Sequence, residues 1–524
     1  DWSAQQPFLN VMKTARRWIG HLPGQWGGVE FEALEQAGLL DAKGWPTGVP
    51  GQLNAIGTVI LTDLPERATA LAGRYRLTFE GEGIVEVGGR ASGKRYRDNE
   101  VMFDFTPGPG PVEIRIQRSD PRGTGDYIRN IRVVHTDHAA ALDAGAVFRP
   151  GWLEMLDGFE VLRFMDWMNT NNSTAQLWDQ RPQVSDFSYT RRGVPLEVML
   201  DLGARVGADA WFNMPHLVGD DYVQAFARAV RVGLAPGLRA YVEYSNEVWN
   251  WQFAQAEWAD TQGQDLWGSI HRGAQFYGLR ASEVADIWAG VFADDRARLV
   301  NVIATQTGWL GLEADILTAP LAVADGFSRP VDRFDAYAVT GYFGHVLGTD
   351  KRRALIGSWL SDSLTAAENN ARAKGLSEEA FDADVAAHRY DLATTWAAEE
   401  LQNGARSGDS SDTVSDLLTR VLPYHAEVAA RFDLELIMYE GGTHVVGLGP
   451  HLNDDALTDF FVHLNYTPQM ADLYGELMDG WATLTPGAFN VFTDIQAPSK
   501  WGSWGARRWA GDDNPRWRAI EARK

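Results

Sequence analysis

The sequence has no cysteine among its 524 residues, so disulfide bonds and thiolate metal sites are excluded. It lacks an apolar run of about 18 residues, the length that a membrane-spanning helix requires. It also lacks His-x-His and His-Glu-x-x-His patterns, which argues against a metal-dependent hydrolase. Basic residues are outnumbered, 47 against 70 acidic ones, and the net charge of −23 disfavours nucleic acid and anionic membranes as partners. We therefore predict no metal, no cofactor and no membrane or nucleic-acid partner.

Aromatic residues are plentiful by contrast, with 21 tryptophans in the chain. Hydrophobic residues make up 45% and charged residues 22%, as in an ordinary globular protein. The length suffices for a barrel of roughly 250 to 400 residues and one further domain. Tryptophan is a common platform for sugar rings, although we expect most of the 21 to be structural.

The stretch on which the prediction centres is residues 241–250, Tyr-Val-Glu-Tyr-Ser-Asn-Glu-Val-Trp-Asn. Its aromatic and β-branched residues favour a strand. Because side chains alternate along a strand, we predict that Glu243, Ser245 and Glu247 share one face. We interpret Glu243 as a buried, paired carboxylate, because an unpaired one would be costly. Glu247 lies at the C-terminal end, where parallel α/β barrels carry catalysis.

A second strand is predicted at residues 434–440, where an apolar run stops at Glu440. Leu436, Met438 and Glu440 are predicted to share a face. The two glycines that follow allow a sharp turn or a close approach to a ligand. Two strands that each deliver one glutamate are what a two-carboxylate glycoside hydrolase requires.

Residues 245–247, Ser-Asn-Glu followed by aromatic residues, and residues 439–441, Tyr-Glu-Gly, together resemble clan A of the (β/α)8 retaining glycoside hydrolases. The resemblance implies an α/β fold, a (β/α)8 TIM barrel, and assigns no numbered family. It implies that Glu247 is the acid/base after strand four and Glu440 the nucleophile after strand seven. The implied reaction is hydrolysis of β-type, equatorial glycosidic bonds in a polysaccharide or oligosaccharide by double displacement.

The same resemblance suggests several substrate-binding residues. It implies that Asn246 donates its amide to the sugar 2-hydroxyl. It implies that Arg163, at the end of strand two, lies beneath the nucleophile and depresses its pKa, with a structural ion pair as the alternative. It also places a tryptophan after strand eight under the reactive sugar, and Trp501 and Trp504 both remain candidates for that position.

Further candidate site residues lie near the predicted strand ends. Trp249 is expected to bury Glu247, and Tyr342 to hydrogen-bond the second glutamate, with a core tyrosine as the alternative. The histidines His216 and His345 are candidates for sugar contact, with a structural role as the alternative. Weaker candidates after strand two are Asp166, Asn169 and Asn171.

Alternating strand and helix patterns after residue 150 predict the rest of the barrel. Strands two, three, five, six and eight are predicted at 161–167, 210–216, 299–304, 334–339 and 488–492. Helices are predicted at 195–206, 221–232, 273–292 and 413–432. Residues 351–412 exceed a normal connection and are predicted to be a helical insertion beside the catalytic face.

The N-terminal region has a different pattern. Residues 7–12 are predicted as barrel strand one, and alternating runs at 74–79 and 112–116 predict an additional small antiparallel β-sandwich. The predicted domains are 1–50, the start of the barrel, 51–140, an inserted β-sandwich, and 141–524, the remainder of the barrel. The alternative is a separate N-terminal β-domain followed by a complete barrel.

Two rival functions differ from the hydrolase in the residues they need. A non-catalytic glycan-binding protein does not need both glutamates, and a polysaccharide lyase needs a tyrosine-based pair and neutralisation of a uronate. The acidic net charge and the Asn-Glu context favour hydrolysis of a neutral glycan. A cysteine-free glycanase that begins at Asp1 also favours a secreted or periplasmic bacterial protein. The sugar, the linkage, endo or exo action and the oligomeric state stay open.

Overall fold

The computed structural model describes residues 4–524. The chain divides into two compact units. The first comprises the residues up to Ala240 together with Ile287–Arg298 and Trp509–Asp512, and the second comprises Tyr241–Asp286, Leu299–Arg508 and Asp513–Lys524. Over the described range, no helix combines the length and the apolar character needed to cross a membrane.

The first unit contains two antiparallel sheets. Their strands are β1 (Ile19–His21), β2 (Gly28–Val29), β3 (Ala55–Ile60), β4 (Gly73–Glu80), β5 (Gly83–Gly89), β6 (Ser92–Arg97), β7 (Glu100–Phe105), β8 (Val112–Ser119) and β9 (Arg129–His135). One sheet has the order β2-β1-β3-β8-β5 and the other the order β6-β7-β4-β9.

The two antiparallel sheets bury alternate side chains in one hydrophobic core. On β8 the residues Val112, Ile114 and Ile116 are buried, and on β4 so are Tyr75 and Leu77. Each fully buried aliphatic side chain stabilises the fold by about 1.5–3 kcal/mol. The predicted alternation of these two strands is confirmed, while the predicted domain boundaries stay a prediction.

A parallel sheet follows in the chain, and its described strands form a nearly closed barrel in the order β10-β11-β12-β13-β14-β15-β16. Its strands are β10 (Val161–Arg163), β11 (Asp209–Met214), β12 (Ala240–Tyr244), β13 (Leu299–Ala304), β14 (Ala336–Phe343), β15 (Glu435–Thr443) and β16 (Phe489–Val491). The parallel α/β barrel is therefore present with seven described strands rather than the predicted eight.

The missing strand is the predicted strand one at residues 7–12, and that prediction was wrong. Phe8 pairs with Phe148 in an isolated antiparallel bridge, and Val11–Thr14 is a turn of 3-10 helix. The physical reason is Asn10, whose side-chain oxygen accepts a hydrogen bond from the backbone N–H of Met12 at 3.2 Å. A capping side chain of this kind offers the backbone an alternative to a sheet ladder.

Two other predicted strands are shorter than expected at their C-terminal ends. Strand two ends at Arg163 rather than at residue 167, because Met168 N donates to Phe164 O at 2.9 Å and closes a helical turn. Strand three ends at Met214 rather than at residue 216. The residue at which each of these strands ends is therefore set by the local turn that follows it.

Several α-helices connect the parallel strands, and others lie in the N-terminal region, at the C-terminal end and within residues 351–412, where the insertion is predicted. They are α1 (Phe31–Gln36), α2 (Ala139–Asp143), α3 (Pro150–Leu156), α4 (Leu196–Val206), α5 (Asp220–Gly233), α6 (Ala254–Trp267), α7 (Gly273–Val291), α8 (Leu312–Thr318), α9 (Pro320–Ala324), α10 (Asp350–Ala373), α11 (Glu378–His388), α12 (Asp391–Asn403), α13 (Val414–Asp416), α14 (Leu422–Arg431), α15 (Asp455–Leu464), α16 (Pro468–Leu484) and α17 (Pro515–Glu521).

Candidate active site

Glu247 lies on a turn just beyond β12. The strand ends at Tyr244, and both Ser245 and Glu247 adopt left-handed backbone conformations, with φ of +57° and +42°. The prediction that Glu243, Ser245 and Glu247 continue one strand face was therefore wrong. Left-handed φ is uncommon for residues other than glycine and costs of order 1–3 kcal/mol. Such strain is typical of positions where the surrounding structure fixes a functional side chain.

Both carboxylate oxygens of Glu247 accept hydrogen bonds from side chains. Tyr439 Oη donates to Oε1 at 3.0 Å, and Asn250 Nδ2 donates to Oε2 at 2.8 Å. The backbone beside it is also held, because the buried Gln255 Nε2 donates to Asn246 O at 2.8 Å. The side chain of Glu247 is half-buried. Its orientation is therefore set by two polar partners and by a fixed turn.

A β-bulge at Tyr439 explains how β15 presents two successive functional side chains. Met438 pairs with Val339 on β14, and Glu440 pairs with the next residue, Thr340, so Tyr439 is the extra residue. The same extra residue shifts the register against β16. Bulges of this kind re-aim side chains and occur often beside active sites.

The bulge corrects one prediction about β15. Val339 and Thr340 are consecutive and point to opposite faces of the sheet, so their partners Met438 and Glu440 do so as well. The expectation that these two residues share a face with Leu436 was wrong. Without the bulge, Glu440 would lie on the face that Met438 occupies.

Glu440 is buried, with 7% of its surface exposed, and one oxygen has a strong partner. Tyr342 Oη, on the neighbouring β14, donates to Glu440 Oε2 at 2.8 Å. Burial raises the pKa of the Tyr342 hydroxyl well above its usual range, and the charges of Glu440 and Glu247 raise it further. Tyr342 therefore stays a hydrogen-bond donor at neutral pH, and donation to a carboxylate favours its charged form.

The two glutamates belong to one site in the second unit. Tyr342 donates a hydrogen bond to Glu440, and the charge of Glu247 helps to raise the pKa of the same tyrosine. Tyr439, which directly precedes Glu440, donates to Glu247. Two carboxylates, each held by a tyrosine, are an arrangement suited to acid–base and nucleophilic chemistry.

An aromatic cluster covers Tyr342. Trp504 packs edge-on against Tyr342 with ring centres 5.7 Å apart, and it also contacts Phe492 at 5.8 Å and His444 at 5.1 Å. Of the two tryptophans predicted after strand eight, Trp504 is the one whose ring packs against Tyr342, the partner of Glu440. Trp501 is 63% exposed and contributes its backbone oxygen, which accepts from Trp504 Nε1 at 3.0 Å.

His345 is close to this cluster through a second histidine. Its Nδ1 lies 3.3 Å from Nδ1 of His444. Burial, together with the neighbouring His345, lowers the pKa of His444 to about 4. His444 is therefore neutral at neutral pH, so one of the two nitrogens can donate to the other. His345 itself is exposed, in a position open to a ligand.

The loop that carries His345 is fixed by Asp412, at the end of the helical insertion. Asp412 Oδ2 accepts from Val346 N at 2.7 Å, and Asp412 O accepts from Gly344 N at 3.0 Å. Burial is the main reason that the pKa of Asp412 is raised to about 7; the charge of nearby Asp416 acts in the same direction, and hydrogen bonds from backbone N–H groups act against it. One carboxyl group thus links the insertion to a loop of the site.

Asp412 is expected to make stability depend on pH. Its pKa in the folded chain lies above the ordinary value of 3.8, so its contribution to stability is complete below about pH 4 and is lost as pH rises through about 7. An Asp412→Asn variant keeps an oxygen for Val346 N but does not ionise. Urea unfolding should therefore show the variant gaining free energy of unfolding relative to native protein between about pH 4.5 and about pH 7.5. A difference that stays constant with pH, as expected for the control Asp362→Asn on the exposed face of α10, would contradict this.

The other predicted site residues have the following positions. In the first unit, Arg163 ends β10 with its guanidinium 5.4 Å from the Trp211 ring centre. His216 follows β11, and burial lowers its pKa to about 4. In the second unit, Trp249 packs edge-on against Tyr277 of α7 at 5.8 Å.

Three further residues considered in the sequence analysis lie near the ends of β10 and β12. Glu243, within β12, is 1% exposed, so its predicted burial is confirmed, and Asn246, two residues after β12, is 2% exposed. Asn169, after β10, has a left-handed φ of +49°, which is common for asparagine in turns. The contacts of Asn246 and Asn169 with substrate stay predictions.

Four residues of the site were not predicted, namely Asn250, Tyr439, His444 and Phe492. Asn250 lies three residues after Glu247, a spacing that a turn brings into contact, so its role had a local signal. Tyr439 precedes Glu440 and would point away from it in a regular strand, so only the bulge reveals it. His444 and Phe492 come together only through the sheet.

Comparison with known proteins gives little similarity. No protein family and no curated protein matches the sequence. One solved structure with partial likeness is AbfB, a family 51 alpha-L-arabinofuranosidase from Bifidobacterium longum, with a TM-score of 0.30 and 11% sequence identity. The match covers 67% of this chain and 61% of that one. The function of the site therefore has to be inferred from its own residues.

Proposed function

We propose that this protein is a retaining glycoside hydrolase. The observation that supports the proposal most directly is the glutamate pair, in which Glu440 accepts from Tyr342 at 2.8 Å and Glu247 accepts from Tyr439 at 3.0 Å. Retaining glycosidases use one carboxylate as nucleophile and one as acid/base. In this chain Glu247 follows β12 and Glu440 lies in the C-terminal half of β15, which agrees with the usual position of active sites in parallel barrels.

Glu440 is assigned as the nucleophile. A nucleophile has to be ionised, and the Tyr342 hydroxyl favours the charged form of the carboxylate it bonds. Burial removes competing water from the attacking oxygen. The aromatic cluster of Tyr342, His444, Phe492 and Trp504 limits how Glu440 and its partner can move.

Glu247 is assigned as the acid/base. A phenolic hydroxyl can donate or accept, so Tyr439 can donate to the Glu247 carboxylate and can accept from the carboxylic acid. The same partner thus suits both protonation states through which an acid/base cycles. Asn250 donates to the other oxygen, Oε2, and so fixes the plane of the carboxyl group.

The proposed reaction has two steps. Glu440 attacks the anomeric carbon while Glu247 protonates the leaving oxygen, which gives a glycosyl ester on Glu440. Glu247 then removes a proton from water, water attacks the same carbon, and the sugar leaves with retained configuration. The mechanism requires the two carboxyl groups to be about 5–5.5 Å apart.

The substrate is proposed to be an equatorial glycoside with a free 2-hydroxyl, which Asn246 would bind. Glycosides of this topology include β-D-glucosides, β-D-galactosides and α-L-arabinofuranosides. The net charge of −23 favours a neutral glycan over a sulfated or uronic one. We also propose a secreted or periplasmic location, because the sequence of this glycanase has no cysteine.

A polysaccharide screen tests the function. Native protein and Glu440→Ala would be incubated with soluble β-glucan, β-galactan, arabinan and a polyuronate, followed by reducing-end assay and product sizing. New reducing ends from native protein alone support the hydrolase. Ultraviolet absorbance from unsaturated uronic ends would instead indicate a lyase, and binding without any product would indicate a glycan-binding protein.

Loss of the Tyr342 hydroxyl is expected to slow the reaction. Hydrogen bonds to charged groups contribute about 1.5–3 kcal/mol, so Tyr342→Phe should lower kcat by roughly 10- to 100-fold. Tyr337→Phe is a matched control on the same strand, because Tyr337 Oη bonds His425 rather than a glutamate. Equal kcat values for the two variants would remove Tyr342 from the mechanism.

A further inference from the structure

Three tryptophans are more exposed than any other aromatic side chain among residues 4–524. Trp251, Trp309 and Trp501 have 62%, 59% and 63% of their surface exposed. They follow strands of the second unit, namely β12, β13 and β16 respectively. The C-terminal ends of parallel strands meet at one edge of a sheet, and Glu247 and Glu440 are at that edge.

The backbone of Trp251 is held next to Glu247. Trp251 directly follows Asn250, whose Nδ2 donates to Glu247 Oε2 at 2.8 Å. Asn250 Oδ1 accepts from Gln252 N at 3.1 Å, on the other side of the tryptophan. The position of Trp251 is therefore set by the residue that orients the proposed acid/base.

The loop of Trp309 is held through β14. Trp309 N donates to Gln306 Oε1 at 2.7 Å, which closes the turn. Within that turn Thr307 Oγ1 accepts from Thr340 N at 2.6 Å. Thr340 lies two residues before Tyr342 on β14, so this loop is fixed to the strand that supports the proposed nucleophile.

Trp501 is held through the aromatic cluster. Its backbone oxygen accepts from Trp504 Nε1 at 3.0 Å, and its backbone N–H donates to Ser499 Oγ at 3.1 Å. Trp504 in turn packs against Tyr342. All three exposed rings are thus supported by groups that contact the glutamate pair or lie beside it.

The strand order distributes these rings along the edge that carries the glutamates. Trp251 follows β12, the strand that leads to Glu247, Trp309 follows β13, which lies between the strands of the two glutamates, and Trp501 follows β16, next to the strand of Glu440. We propose that the three tryptophans are platforms for successive sugar rings of one neutral glycan chain, which crosses this face and is cleaved internally. This inference rests on the proposed function and adds endo action on a polymer to it.

Sugar chemistry fits these platforms better than the chemistry of other linear polymers. A tryptophan ring is large, rigid and apolar on its face, and its edge carries a hydrogen-bond donor. Sugar rings have C–H groups on their faces and hydroxyls at their edges. Single-stranded nucleic acid also stacks on aromatic rings, but it requires a positively charged groove, and the chain carries a net charge of −23.

The inference is tested by binding in a background without turnover. Glu440→Ala protein would be run in native gels that contain soluble β-glucan, β-galactan or arabinan. The same gels would be run with double variants that combine Glu440→Ala with Trp251→Ala, Trp309→Ala or Trp501→Ala. The control is Trp26→Ala, an exposed tryptophan between β1 and β2 that is not at a parallel strand end. Each strand-end change should weaken binding of at least one polysaccharide by roughly tenfold, and Trp26→Ala by less than about twofold.

Two further measurements separate the possible outcomes. The matching Trp→Phe variants keep a ring, so they should retain most of the binding, which a folding defect would not allow. On native protein, the first products should be oligosaccharides, and the alanine changes should lower kcat/KM for the polymer much more than for a short aryl glycoside. No binding by any of the three polysaccharides, alanine variants equal to Trp26→Ala, or monosaccharide as the sole first product would overturn the inference. Reducing-end release that survives Glu440→Ala would instead overturn the proposed function, whatever the binding result.

Discussion

Replacing Glu440 with alanine is expected to abolish turnover, with kcat lowered by roughly four orders of magnitude or more. The proposed covalent intermediate cannot form without the Glu440 carboxylate, and no other group of the site that we have described replaces it. The buried Tyr342 hydroxyl loses its acceptor in this variant but has no nucleophilic role. The measurement is kcat on an aryl glycoside and on the polysaccharide that native protein cleaves.

Azide and a matched variant make this prediction more specific. Azide should enter the space of the missing carboxylate, attack the anomeric carbon and restore turnover with an inverted glycosyl azide product. Glu435→Ala is the control, because Glu435 is exposed at the start of the same strand. Substantial activity in Glu440→Ala without azide would show that the nucleophile is another group.

Replacing Glu247 with alanine is expected to give losses that depend on the leaving group. A poor leaving group needs its oxygen protonated, so polysaccharide hydrolysis should fall by roughly 10²- to 10⁴-fold. An aryl glycoside with an acidic phenol needs little protonation, so its first step should be nearly native. The second step then limits turnover because water lacks its base, and the glycosyl ester should accumulate as a burst of released phenol.

The control for Glu247 is Glu257→Ala, since Glu257 is exposed on α6 and remote from the strand end. It should leave both substrates unaffected. Added azide should accelerate the second step in Glu247→Ala and give a product with retained configuration. Equal losses on good and poor leaving groups would contradict the acid/base assignment.

Elements with a clear hydrophobic period were predictable from sequence alone. The predicted strand at residues 299–304 coincides with β13, and α4 begins one residue after the predicted helix and ends at the same residue. In both segments burial on one or two faces determines the spacing of the hydrophobic residues. That spacing can be seen in a short stretch of sequence. Glu247 and Glu440 were recognisable because each comes near the C-terminal end of such a segment, within a short motif typical of a known clan.

The orientation of the site residues was not predictable in this way. The bulge at Tyr439 depends on the register of β15 against β14 and β16, which are distant in sequence. It changes the face on which Glu440 lies and brings Tyr439 to Glu247. The left-handed φ at Glu247 could not be predicted either, because the position is not a glycine, the residue that usually signals this conformation. The assumption that side chains alternate regularly along each strand therefore located the two carboxylates in the sequence but did not predict the directions in which their side chains point.

Two further features could be assigned only from the structure: the conformation of residues 7–12, and the difference between the two tryptophans after the last strand. Residues 7–12 have an apolar pattern typical of a strand, but Asn10 caps a helical turn and removes them from the parallel sheet. Trp501 and Trp504 are three residues apart and equally aromatic. Only the fold distinguishes them, because the ring of Trp504 packs against Tyr342 while that of Trp501 is exposed.

The stereochemistry of the first product tests the central claim most directly. Proton NMR would follow the anomeric signals during the first minutes of hydrolysis of the cleaved polysaccharide, before mutarotation equilibrates them. Double displacement at Glu440 with Glu247 as acid/base predicts that the first anomer has the configuration of the bond that was cleaved. An inverted first anomer would contradict the account, because it would require direct attack by water and a wider separation of the two carboxyl groups.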